Sequence, residues 1–284
     1  MTRFTAACVQ LRATRSIETN IAEAVELIRE AAGRGADFVQ TPETTNLIEL
    51  DRKRLFGLIR EEEEDASLPQ FKALATELGI WLHIGSMAFK VGEGKAANRG
   101  FLIGPDGAIA ARYDKIHMFD VDLAGGESYR ESSAYRPGET AVVADLPWAR
   151  FGMSICYDMR FPDLYRAQAR AGAQVLTAPA AFTRQTGEAH WHLLLRARAV
   201  ENGCFMIAAA QGGTHDSGRQ TYGHSLIVDP WGEILAEAGT EPGVVTAEID
   251  LERVAEIRGR VPSLANERAF ELVEPASPPL ARTA

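Results

Sequence analysis

Arg150-Phe151-Gly152-Met153-Ser154-Ile155-Cys156-Tyr157-Asp158-Met159-Arg160-Phe161-Pro162 is the stretch that decides the fold. An apolar run stops at a single cysteine, and a proline follows where a helix can begin at its first turn. Cys156 is therefore expected on a strand-to-helix turn, at the carboxyl end of a strand. Backbone N–H groups of such a turn point outward. An α/β protein can seat a nucleophile there beside a ready-made oxyanion site. Taken alone, a free cysteine is more often a small buried core residue, and the rest of the chain has to overturn that reading.

Residues 5–11 read as a buried strand. Ser16 is the expected N-cap of a helix in which Ile17, Ile21, Ala24, Val25, Ile28 and Ala31 recur at helical spacing. Residues 35–43 form a short strand that ends in Pro42-Glu43, and a strand–helix–strand unit implies parallel pairing. The pattern returns after Cys156, with a helix over about 162–171 and a strand within 172–180. Gly35-Ala36-Asp37-Phe38-Val39-Gln40-Thr41-Pro42-Glu43 and Gly172-Ala173-Gln174-Val175-Leu176-Thr177-Ala178-Pro179-Ala180 match as Gly-Ala-x-apolar-apolar-x-x-Pro-x. Each follows a helix, which reads as an internal duplication. Glu43 then stands where the second copy has Ala180. The backbone pattern does not demand a carboxylate there, so Glu43 calls for a chemical explanation.

Between and beyond these units the expected elements are a helix over 69–78, a strand over 81–89, and a hairpin over 98–113 turning at Asp106-Gly107. A long loop follows over 114–138, and loops of that length inside a compact domain are commonly functional. A helix over 190–202, a strand over 204–210, a hairpin of 222–230 with 234–238, a strand over 244–249 and a helix over 251–258 complete the chain. No linker-like composition interrupts 1–270, which implies one domain. Residues 271–284, with Pro275, Pro278 and Pro279, are expected to form an arm or to be disordered. The strands exceed what one flat sheet holds comfortably, so two sheets face to face with helices outside is the expected layering.

Composition narrows the function. A net charge of −9 argues against nucleic acid as a partner. No apolar run approaches the ~20 residues of a membrane span, and the first residues do not read as a signal peptide. A cytoplasmic location and no membrane partner are the expectations. Cys8, Cys156 and Cys204 are too few and too far apart for a disulfide framework or a zinc site. His190, His192 and His224 have no cysteine or carboxylate at ligand spacing, so no metal is expected. Gly223-His224-Ser225-Leu226 lacks the Gly-x-Ser-x-Gly elbow of a serine hydrolase.

Three separated motifs stand in order: Thr41-Pro42-Glu43, Tyr113-Asp114-Lys115-Ile116-His117, and Cys156-Tyr157-Asp158-Met159-Arg160-Phe161-Pro162. With their βα context they resemble the nitrilase superfamily of carbon–nitrogen hydrolases over roughly residues 4–270. The resemblance implies a four-layer α-β-β-α sandwich and assembly as a homodimer or higher homo-oligomer. It implies a catalytic triad of Glu43, Lys115 and Cys156, with Glu131 in Tyr129-Arg130-Glu131-Ser132 as an additional glutamate near the lysine. Glu127 is the nearby alternative for that last role.

The chemistry suits these residue types. A cysteine thiolate attacks an amide carbon, a carboxylate carries the proton, and an ammonium with the Tyr157 N–H holds the oxyanion. No step needs a cofactor. The cysteine context is similar to the amidase branch acting on deaminated glutathione or on omega-amides of keto acids. Nitrilases and carbamoylases of the same fold are the rivals, and a binding scaffold without activity is the non-enzymatic alternative. Such amides carry carboxylates, so a cation is expected near the pocket. Arg160 is the first candidate, with Arg130, Arg184 and Arg219 as loop alternatives. Phe182 and Thr183, just past the Pro179 strand end, are expected in the pocket wall.

Overall fold

The computed structural model describes residues 2–273, so most of the expected C-terminal tail, from residue 274 on, lies outside the described residues. The first half runs β1 (Arg3–Gln10), α1 (Ile17–Gly33), β2 (Phe38–Gln40), α2 (Arg52–Leu58), α3 (Ser67–Leu78), β3 (Trp81–Lys90), β4 (Ala96–Ile103) and β5 (Ile109–Asp114). A small hairpin of β6 (Asp120–Asp122) and β7 (Ser128–Arg130) follows. The second half runs β8 (Val142–Asp145), β9 (Arg150–Met153), α4 (Pro162–Arg170), β10 (Val175–Thr177), α5 (Arg184–Asn202) and β11 (Phe205–Ala208). Then come the hairpin β12 (Gly212–Thr214) and β13 (Gln220–Tyr222), β14 (Leu226–Val228), β15 (Ile234–Glu237), β16 (Gly243–Asp250) and α6 (Glu252–Arg260).

Two six-stranded sheets form, in the orders β16-β1-β2-β3-β4-β5 and β15-β14-β11-β10-β9-β8. The duplication extends well beyond the matched nine residues. Each sheet holds three parallel strands (β1, β2, β3; β9, β10, β11). Each adds two antiparallel strands on one side (β4, β5; β14, β15) and one on the other (β16; β8).

Side-chain alternation on β1 sets the layers. Phe4, Ala6 and Cys8 point to the second sheet, where Phe4 and Phe38 meet Phe151 at ring-centroid distances of 5.8 and 4.9 Å. Ala7 and Val9 point the other way, against Ile21, Ala24 and Ile28 of α1 and Phe71 and Leu74 of α3. Leu164, Tyr165, Trp191 and Leu195 of α4 and α5 join the core around the second sheet. The order of layers is helix, sheet, sheet, helix, as the sequence implies. Buried glutamines tie the sheets together: Ala209 N–H donates to Gln40 Oε1 at 2.7 Å, and Ser225 N–H to Gln10 Oε1 at 2.9 Å.

Several elements differ from expectation. The short helix α2 is absent from the sequence reading, because Arg52-Lys53-Arg54 hides it and Leu55 alone is fully buried. Its signal was Asp51, an N-cap that accepts from Arg54 N–H at 2.8 Å. Helix α5 starts at Arg184 rather than near His190, capped by Thr183. Gly187 suggests a break, but a Cβ there would lie 2.3 Å from the Tyr222 side chain, so packing against β13 selects the glycine. The long loop holds the β6–β7 hairpin and two 3-10 turns, all too short to show a period. No helix among the described residues is long and apolar enough to cross a membrane.

Candidate active site

Glu43, Lys115 and Cys156 each follow the carboxyl end of a strand: β2, β5 and β9. The position of Glu43 depends on a bulge in β3. The β3–β4 register slips between Ile84 and Met87, freeing Gly85 and Ser86 from the ladder. Ser86 then holds the segment after Pro42: its Oγ accepts from Thr44 N–H at 2.9 Å and its carbonyl from Thr45 N–H at 2.8 Å. A Cβ on Gly85 would fall 2.2 Å from the Thr41 carbonyl and 2.4 Å from Pro179. Only glycine lets the two duplicated Pro turns approach so closely.

Cys156 opens a 3-10 turn (Cys156–Arg160) between β9, which ends at Met153, and α4. Its φ of +50° is left-handed, a strained value for a non-glycine residue. Cys156 N–H donates to the Pro179 carbonyl at 2.9 Å, which pins the turn to the second Pro strand end. Asp158, fully buried, clamps this turn to the segment carrying Lys115. It accepts from Tyr113 Oη (2.7 Å), His117 N–H (3.0 Å) and Ile155 N–H (2.9 Å), and its carboxylate lies 2.7 Å from His117 Nδ1. His117 also stacks on Phe161 at 3.5 Å, so it braces the turn.

The ionic cluster is dry. Lys115 is 2% exposed and Glu43 3%. Lys115 Nζ donates to Glu43 Oε1 at 2.8 Å and to Glu131 Oε1 and Oε2 at 3.0 and 2.9 Å. Asn98 Nδ2 bridges the same carboxylates at 2.8 and 3.3 Å. Ala181 N–H donates to Glu43 Oε2 at 2.8 Å, and Phe119 N–H to Glu131 Oε2 at 2.7 Å. The Cys156 thiol lies beside the Glu43 carboxylate and Ala181 N–H.

Burial pushes Glu43 up, but the Lys115 charge and its hydrogen bonds reverse this and hold Glu43 below its ordinary value. Burial pushes Lys115 down, and the charges of Glu131 and Glu43 outweigh it and raise the ammonium well above its usual range. Burial, then the Glu43 charge, pushes the Cys156 thiol well up. At neutral pH Glu43 is therefore a carboxylate, Lys115 an ammonium and Cys156 a neutral thiol. Burial also raises Cys8 to about 12 and Cys204 to about 11. Their thiols bond to backbone carbonyls, so the carboxylate partner is what sets Cys156 apart.

A cavity of about 340 Å³ opens over this cluster, lined among others by Cys156, Tyr157, Phe182, Thr183, Tyr129 and Arg219. Glu43, Lys115, Glu131, Cys156, Tyr157, Phe182 and Thr183, all singled out from sequence, meet here. Glu127 is exposed, bonds to Tyr129 and is not in the lining, whereas Glu131 reaches Lys115. Arg160 does not line the cavity. It lies over the outer sides of Tyr157 and Phe182, at 5.8 and 5.3 Å from their ring centroids, with Nη2 3.3 Å from His190 Nδ1. Asn98, Ala181 and Asp158 escaped the sequence reading, whereas Arg130 and Arg219, two of its loop alternatives to Arg160, line the cavity. Ser225 bonds to Gln10 Oε1 at 2.9 Å and braces the sheets.

The family model for carbon–nitrogen hydrolases matches residues 5–259. A deaminated glutathione amidase of Synechocystis sp. is 41% identical over 93% of this chain and 98% of its own length. The human omega-amidase NIT2 is 39% identical, covering 95% and 96%. The C. elegans NitFhit crystal structure superimposes with a TM-score of 0.88 at 36% identity, over 94% of this chain and 66% of that one. Saccharomyces cerevisiae Nit3, a member of branch 10 of the nitrilase superfamily, gives 0.83 at 31% identity, over 92% and 95%. On the strength of this likeness along almost its whole length, the chain belongs to the carbon–nitrogen hydrolase family, within the nitrilase superfamily.

Proposed function

We propose that the chain, folded as one domain over residues 1–270, is an amidase that hydrolyses a small carboxylate-bearing linear amide through a thioester on Cys156. The observation that carries this is the buried Cys156 thiol beside the Glu43 carboxylate, which in turn accepts from Lys115 Nζ at 2.8 Å. Glu43 takes the thiol proton as sulfur attacks the amide carbon. The carbonyl oxygen becomes an oxyanion. Lys115 has three N–H donors, and at rest it bonds to Glu43 Oε1 and to both oxygens of Glu131; giving up one of the two Glu131 contacts frees a donor for the oxyanion. The Tyr157 N–H, at the start of the 3-10 turn, is the second donor. The C–N bond breaks as Glu43 returns its proton to the nitrogen, and ammonia leaves. Glu43 then deprotonates a water that attacks the thioester, releasing the acid and restoring the thiol. Glu131 and Asn98 hold Lys115 in place.

The carboxylate partner is Arg219 rather than Arg160. Three arginines line the cavity: Arg52, Arg130 and Arg219. Arg130 is engaged by both oxygens of Asp122 at 2.7 and 2.8 Å, and Arg52 bonds to the Gly94 carbonyl. Arg184 is exposed and pairs with Glu188. Among the described residues the Arg219 side chain donates only to the Ala181 carbonyl, at 2.6 Å, and its buried Nε has no partner. Deaminated glutathione and alpha-ketoglutaramate are the substrates that the two amidase relatives suggest, in that order.

Ammonia release from both, from a neutral amide, a nitrile and a carbamoyl amino acid, tests the reading. Arg219→Met should raise KM for the carboxylated amide about 10–100-fold, the worth of one hydrogen bond to a charged group. The neutral amide should be unaffected. An equal effect on both would remove Arg219 from substrate recognition. Turnover of the nitrile or the carbamoyl compound alone would overturn the substrate class.

The chain is proposed to pair. Leu193 and Val200 on α5 are 66% and 50% exposed, and Trp231 on the β14–β15 turn is 52% exposed. Arg196 Nε donates to the Gly232 carbonyl at 2.8 Å, joining the two elements into one apolar face. Equilibrium sedimentation should give twice the 30.9 kDa chain mass, with Trp231→Glu shifting it to the monomer. A monomeric parent would contradict this.

A further inference from the structure

We propose that His192, His224 and Glu237 form a binding site for a divalent transition-metal ion of the zinc class, separate from the cavity over Cys156. The carboxylate that local sequence does not offer these histidines arrives from β15. His192 Nε2 lies 2.9 Å and His224 Nδ1 2.8 Å from Glu237 Oε1, and the three ligand atoms lie within 4.8 Å of one another. Ligand atoms around a tetrahedral zinc at its usual bond lengths are ~3.4 Å apart. The two histidine–carboxylate separations therefore need to open by only about half an ångström to admit the ion. Two imidazoles and one carboxylate are a donor set for zinc, copper or nickel, whereas calcium and magnesium require oxygen. A fourth position stays open to water, since all three side chains are about a third exposed (31%, 27% and 34%).

The site is built on rigid parts. His192 is on α5, Glu237 ends β15, and His224 sits in the corner after β13. His224 has a left-handed φ of +56°, held by its N–H donating to the Gly239 carbonyl and its carbonyl accepting from Trp191 Nε1, both at 2.8 Å. That backbone aims the imidazole at Glu237. Tyr222 stacks on His224 at 4.4 Å and meets His192 edge-on at 5.9 Å, so both rings are oriented by packing. His190, two residues earlier on α5 and so on another face of it, is instead beside Arg160. None of the three residues lines the active-site cavity. Tyr222 N–H donates to the Phe182 carbonyl at 2.9 Å, which connects the site to the cavity wall.

Without an ion, the trio would be a hydrogen-bonded brace between α5 and β15. Zinc titration separates the two. The full chain carrying Cys156→Ala, which removes the one cavity thiol, is stripped with chelator and dialysed against zinc at 1–100 μM, and the bound metal is counted. One equivalent per chain is expected, with an unfolding temperature raised by roughly 5–10 °C at a hundredfold excess over Kd. Glu237→Gln and His192→Gln should each weaken binding at least tenfold, with circular dichroism spectra matching the parent to show that they fold. No bound zinc at about 100 μM overturns the site. So does an equivalent that survives either substitution, because that ion is bound elsewhere.

Discussion

Cys156→Ala should lower ammonia release about 10⁴-fold or more while leaving the fold intact. In the proposed mechanism the thiol is the group that bonds to the substrate carbon, so nothing remains to form the thioester. Alanine leaves a space no larger than one sulfur, at a residue 7% exposed beside an open cavity, and the Pro179 clamp on the backbone N–H is unchanged. A far-UV spectrum and melting temperature close to the parent's should accompany the loss. Cys8→Ala and Cys204→Ala, in the core and without a carboxylate partner, should retain turnover. Activity persisting in Cys156→Ala would return the residue to the role of a core cysteine.

Lys115→Met should cost both rate and stability. Two carboxylates, Glu43 and Glu131, converge on Lys115 Nζ. Removing the ammonium leaves them facing each other in a site that water barely reaches. Breaking a buried ion pair by deleting one partner costs about 3–5 kcal/mol, which lowers the unfolding temperature by roughly 10 °C. The lost oxyanion donor lowers kcat by about 10²–10³-fold. Adding Glu131→Gln removes one of the stranded charges. The double variant should recover much of the melting temperature and none of the rate. That split distinguishes the electrostatic cost of the pair from its chemical role. An unchanged melting temperature in Lys115→Met would contradict the buried network.

The sequence made the fold's periodic parts legible and left its long-range parts obscure. The strand–helix–strand units around Glu43 and Cys156 are carried by apolar spacing and by Pro42 and Pro162, which act locally. The matched nine-residue segments point to a duplication that the two sheet orders extend strand for strand. Lys115 and Glu131 could be identified only through resemblance to a family, because neither has a local signature. Their partnership closes across the β6–β7 hairpin. Asp158 and Asn98 bond to groups 33–55 residues away, so no window of sequence shows them as hubs. Arg160 had the right charge at an attractive spacing, but the 3-10 turn rotates it behind Tyr157 and Phe182. Gly187 illustrates the converse case, a residue of low helix propensity that packing against Tyr222 makes necessary.

Acid quenching during turnover of a good amide substrate, followed by peptide mass mapping, tests the thioester on Cys156 most directly. The peptide containing Cys156 should carry the acyl group of the substrate, lost on treatment with hydroxylamine and absent from the peptides of Cys8 and Cys204. Ammonia release with the acyl group on another residue, or undiminished release from Cys156→Ala with no acylated peptide, would contradict it.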